Sequence, residues 1–127
     1  MKANKIIYWI ITGLFSFMIL AGASFYFIGH DEVVLSFIAL GYSPAIIYPL
    51  AVAKILGIIA ITTKKSKILK NLAYLGFATN LTLAVIAHLS VGDGEQGGAL
   101  MGLALLVGSI FFEWRMNTSK ELALATK

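Results

Sequence analysis

Lys54 is the single basic residue within an otherwise apolar run, ten positions after Pro44 and ten before Lys64. In a membrane-spanning helix, with a rise of about 1.5 Å per residue, that places it roughly 15 Å from either end, near mid-bilayer. A lysine at that depth is unfavourable by about 2.5–3.5 kcal/mol on insertion scales. No acidic residue stands at the same depth, since Glu113 falls about a leaflet away. Asn80 offers a neutral partner at matching depth, with Gly76, Ala84 and His88 on its helical face at intervals of four, and Ser16 lies at a similar level. Two chemistries fit these residues. An inward-facing ammonium can hydrogen-bond the head of a ligand or electron carrier, or exchange a proton. Alternatively, Lys54, Asn80 and backbone carbonyls bond to one another and serve packing alone.

A second group lies toward one end of the chain's helices. His88 falls some 12 Å beyond Asn80 by helical rise. Asp93 and Glu95 follow in the Gly92-Asp93-Gly94 turn, and His30, Asp31 and Glu32 occupy another loop. His30, Asp31, His88 and Asp93 are the residue types that ligate a divalent metal, but a hydrated loop surface has the same composition. The simpler expectation is His88 hydrogen-bonded to Asp93 across a helix end, with no metal. A bis-histidine haem is not expected, because His30 reads as a loop residue. The chain has no cysteine, so it carries no disulfide or thiolate chemistry of its own. No nucleophile–base constellation, phosphate loop or nucleic-acid surface is present.

The elements that must position these groups follow from composition. Of 127 residues, 59% are hydrophobic and 13% charged, against roughly 25% charged in soluble domains. A soluble globule of this size cannot hide so much apolar surface, and a disordered chain would not carry it. The chain reads as one all-α integral membrane domain, a four-helix bundle. Its spans are expected at about 6–28, 45–63, 68–89 and 97–114. Gly41-Tyr42-Ser43-Pro44 interrupts the long apolar region before Lys54, because glycine permits a helix-ending conformation and proline disfavours helix before it. Asp31 to Leu40, with acidic residues in its first turn and one apolar side, is expected as a short interfacial helix between the first two spans. A boundary at Val33 to Ala53 instead would strand Ile55 to Thr63 and put Gly41 and Pro44 inside a helix. Gly98, Gly102, Ser109 and Glu113 form a small and polar stripe on the last span that begins as a GxxxG seam.

Charge orients the bundle. Lys2, Lys5, Lys64, Lys65, Lys67, Lys70, Arg115, Lys120 and Lys127 fall on one side, whereas Asp31, Glu32, Asp93 and Glu95 fall in the opposite loops without a lysine or arginine. The positive-inside rule then puts both termini in the cytoplasm, as in a bacterial-type inner membrane. Met1 to Ser24 also has the layout of a signal peptide, but the apolar run continues through Ile28, long enough to span, and retention is expected. The basic residues suit anionic lipid headgroups.

Tyr48-Pro49-Leu50-Ala51, Lys54 and Gly57, then Gly76-Phe77, His88 and Gly92-Asp93, preceded by Leu40-Gly41-Tyr42-Ser43-Pro44 and joined by a basic loop, resemble the DoxX-like family of small four-helix membrane proteins over roughly Tyr8 to Phe112. The resemblance implies kinship with subunits linked to thiosulfate–quinone oxidoreduction, with proteins of oxidative-stress or thiol systems, and with assembly factors. It carries over Lys54, His88 and Asp93 as functional candidates without assigned chemical roles. The expected function is an accessory membrane redox subunit, with a quinone as its candidate cofactor near Lys54, Asn80 and Ser16. The alternatives are a non-enzymatic partner packing on other membrane subunits or on itself through Gly98 and Gly102, and a small proton-coupled transporter. The absence of cysteine argues against direct disulfide chemistry.

Overall fold

The computed structural model describes residues 2–126. Five α-helices run in the order α1 (Lys2–Ile28), α2 (His30–Ala39), α3 (Ile47–Thr63), α4 (Lys67–Val91) and α5 (Gly97–Ala125), with a 3-10 turn, Pro44–Ile46, leading into α3. Four of these elements are long and apolar enough to cross a membrane, counting the 3-10 turn with α3. Their order closes a ring: α1 packs on α3, α3 on α4, α4 on α5, and α5 back on α1. Large apolar side chains such as Ile10, Phe17, Leu75 and Val107 point outward, where lipid rather than water meets them. The protein is thus a multi-pass membrane bundle, with α2 the short extra helix after the first span.

All four spans feed one interior. Phe15 and Ile19 of α1, Ile58 and Ile61 of α3, Tyr74, Phe77 and Leu81 of α4, and Leu106 of α5 are buried together. Phe15 and Phe77 meet edge to face at 5.2 Å. A second cluster fixes α2: Val33 and Phe37 pack on Ile47, flanked by Tyr26, Tyr42 and Leu50. Gly41 makes the turn after α2 with φ +85°, a conformation nearly free of penalty only for glycine. The Ser43 hydroxyl then accepts the Ala45 N–H before Pro44 starts the next helix. Ser66 likewise caps α4 by accepting from Leu69.

Two details depart from the sequence expectations. His30 is the first residue of α2 rather than a loop residue. The last helix runs on to Ala125, because Lys120 to Ala125 contains only good helix formers and no breaker.

The GxxxG seam divides in use. A Cβ at Gly102 would lie 2.7 Å from Met18 and 3.1 Å from Leu81, whereas one at Gly98 meets nothing within 4 Å. Gly102 is therefore occupied inside the bundle and is not available to an outside helix. Gly102→Leu is expected to destabilise by about 1–3 kcal/mol through overpacking. Gly98→Leu is expected to be neutral or slightly stabilising through helix propensity. Thermal unfolding of the two variants in mild detergent checks the contrast.

Candidate functional site

Lys54 projects from the middle of α3, but its amine is not at the middle of the bundle. It donates a 3.0 Å hydrogen bond to the Tyr26 hydroxyl and lies 4.4 Å from that ring's centroid. Tyr26 is two residues from the end of α1, about 3 Å of rise. Helical side chains lean toward their helix N-terminus, and for α3 that end carries the acidic loops. The lysine therefore reaches upward from mid-depth, and its partner is a phenol instead of the expected Asn80 amide. Tyr26 is itself held edge to face on Phe37 of α2 at 5.7 Å, so the short helix indirectly positions the ammonium.

Asn80 still shares the site. Two cavities meet along Leu50, Lys54 and Asn80. The upper one, about 560 Å³, lies beneath α2 and reaches from Lys54 past Tyr26, Phe37, Tyr42 and Ala84 to His88 and Glu95. The lower one, about 750 Å³, runs between α3 and α4 from Lys54 to Lys65 and Ser66. Both are mostly apolar with a few polar groups, the character of small-molecule sites, and their volumes fall within the usual range of about 300–1,000 Å³.

At the mouth of the upper cavity, His88 Nδ1 lies 2.8 Å from Asp93 Oδ2, the hydrogen bond expected across the end of α4. Gly92 ends that helix at φ +70°, turning the chain so that Asp93 comes back over it. Asp93 also accepts the Glu95 N–H at 2.9 Å. That backbone bond, and secondarily the one to His88, hold its carboxyl below the ordinary aspartate value of 3.8. A depressed native pKa contributes stability that is present above the unfolded value and lost as pH falls through the native one. The Tm difference between wild type and Asp93→Ala is expected to shrink as pH falls below about 4. His88, Asp93 and Glu95 place ligand atoms within 4.8 Å of one another. His30 and Asp31 do not join them; His30 stacks instead on Tyr48, with centroids 4.6 Å apart.

Ser16 is buried on α1 without a hydrogen-bond partner for its hydroxyl among the described residues, and it lines neither cavity. It belongs to a polar stripe absent from the sequence reading, formed with Asn4, Tyr8 and Thr12 along the buried side of α1. Thr12 and Ser109 hydroxyls are 2.7 Å apart, and Tyr74 reaches the same Ser109 at 3.0 Å. Toward the basic end, Lys70 donates to Glu113, whose side chains are 11% and 8% exposed respectively. Lys64, in the left-handed conformation that ends α3, rests its ammonium 4.0 Å above the Tyr8 ring. The recurrence of Asn4, Tyr8, Thr12 and Ser16 every four residues was the signal available in the sequence. Their partners on α4 and α5 were not readable from it.

The fold and site define a small multi-pass membrane bundle with a lysine-bearing cavity under the short helix α2. The chain belongs to the DoxX-like family, whose model matches residues 10–112. No curated protein and no solved structure matches the chain significantly.

Proposed function

We propose that this protein is a single membrane domain acting as an accessory subunit of a membrane redox system, and that it holds a quinone-like molecule in its upper cavity. The observation that carries this reading is the Lys54 ammonium beside that cavity, with a neutral phenol as its hydrogen-bond partner. A phenol leaves the positive charge uncompensated, and a partly negative carbonyl oxygen supplies what it lacks. Asn80 offers a second polar contact, and Phe25, Phe37, Leu81 and Leu83 give apolar walls for a ring and tail. His88, positioned by Asp93, stands at the mouth. The chain supplies binding and orientation; a bound quinone would supply the redox chemistry, with electrons from a partner subunit. The clustering of lysines at one end supports a cytoplasmic location for both termini in a plasma membrane.

The test is extraction of the protein, purified in mild detergent, followed by chromatographic and mass analysis for quinones. Co-purifying quinone, or saturable binding of a decyl-chain quinone analogue to the purified protein, is the expected result. The absence of both co-purifying quinone and saturable analogue binding would overturn the reading.

A further inference from the structure

The lower cavity is a groove that points to a different occupant. Small residues carve it: Ala53, Gly57 and Ala60 on α3 face Ala73 and Gly76 on α4, with Phe77 along its floor. A Cβ at Gly57 would come within 2.8 Å of Phe77, while Gly76 opens to empty space. From Lys54 to Thr63, where α3 ends, the groove follows nine positions of helix, roughly 14 Å of rise, before its mouth at Lys65. That is about the depth of one leaflet of a 30 Å hydrocarbon core. Its two ends differ. The mouth carries the exposed Lys65 and the N-terminus of α4 at Ser66, both of which favour an anion. The inner end is marked by the Lys54 stem, since the amine is drawn away to Tyr26, which lines only the upper cavity. Of the neighbouring lysines, Lys64 is turned onto Tyr8 and Lys70 onto Glu113. Lys67 is exposed at the start of α4 but does not line the groove, so Lys65 is the lysine that lines its mouth.

We propose that this groove binds an anionic phospholipid of the leaflet at the basic end, its headgroup at Lys65 and one acyl chain lying between α3 and α4 as far as Lys54. The charge at the mouth matches the headgroup, and the apolar length matches one chain. A bound chain completes the α3–α4 interface where small residues leave a gap. The groove meets the upper cavity along Leu50, Lys54 and Asn80, but its mouth lies at the opposite, basic end, and neither occupant requires the other.

Native mass spectrometry of delipidated protein, titrated with dioleoyl phosphatidylglycerol or dioleoyl phosphatidylcholine, tests it. Wild type is expected to prefer the anionic lipid by about fivefold, the worth of one lysine near a headgroup. Lys65→Gln should remove that preference, and Lys120→Gln, on the distal part of α5, should keep it. Gly76→Phe should weaken both lipids by filling the groove, with Gly76→Leu as a milder variant and helical circular dichroism as the folding control. Equal binding of the two lipids by wild type, an unchanged preference in Lys65→Gln, or full binding by folded Gly76→Phe would each overturn the proposal.

Discussion

Lys54→Met is expected to lower affinity for a quinone analogue by about tenfold or more while leaving the protein as stable as wild type, or more so. A hydrogen bond to a charged group is worth about 1.5–3 kcal/mol, which corresponds to roughly ten- to a hundredfold in binding. Methionine keeps the length and apolar stem of the side chain but removes the ammonium. Inserting that ammonium is unfavourable by about 2.5–3.5 kcal/mol, and its bond and ring contact with Tyr26 offset only part of this. If Lys54 served packing alone, methionine would leave analogue binding unchanged. Tyr26→Phe separates positioning from binding: the phenol orients the amine, so its loss should weaken the analogue less than loss of the amine itself. Analogue titration and thermal unfolding of the two variants measure both effects.

Breaking the Lys70–Glu113 pair should produce the largest loss of stability. Both side chains are nearly buried, and removing one partner from a buried pair typically costs about 3–5 kcal/mol because the other charge is left alone. Lys70→Met is therefore expected to destabilise by about 3 kcal/mol, and adding Glu113→Leu should restore most of the loss. A cost below about 1 kcal/mol for the single variant is what a hydrated surface pair would give. By contrast, Thr12→Ala should cost only about 0.6 kcal/mol, the average for a neutral interhelical hydrogen bond in a membrane. Unfolding of the four proteins under one detergent condition orders these terms.

What could be read from the sequence was what depends on one segment at a time. Charge-free length located four spans, and Gly41 with Pro44 marked the break that separates α2 from α3. His88 and Asp93, five residues apart across a helix end, formed the expected local bond. What escaped depends on the rotation of one helix against another. Membrane helices are apolar around most of their circumference, so periodicity hardly reveals which face turns inward. Depth alone made Asn80 the natural partner of Lys54, yet the rotamer lean of α3 sends the amine to Tyr26, 28 positions earlier in sequence. Lys70 read as one of the lysines between the second and third spans and Glu113 as the end of the polar stripe on the last span. Their pairing spans 43 positions and exists only because α4 and α5 are neighbours in the ring. The Gly98–Gly102 spacing suggested one seam, but packing uses only Gly102.

The placement of the Lys54 amine is tested most directly by NMR of the protein labelled with ¹³C at the lysine ε-carbons, with the Lys54 signal assigned from Lys54→Met. Its resonance should resist a water-soluble paramagnetic agent that broadens the exposed Lys2 and Lys65 signals, and it should shift on addition of the decyl-chain quinone analogue. A Lys54 signal broadened as readily as those, and unmoved by the analogue, would contradict an amine held beside a binding cavity.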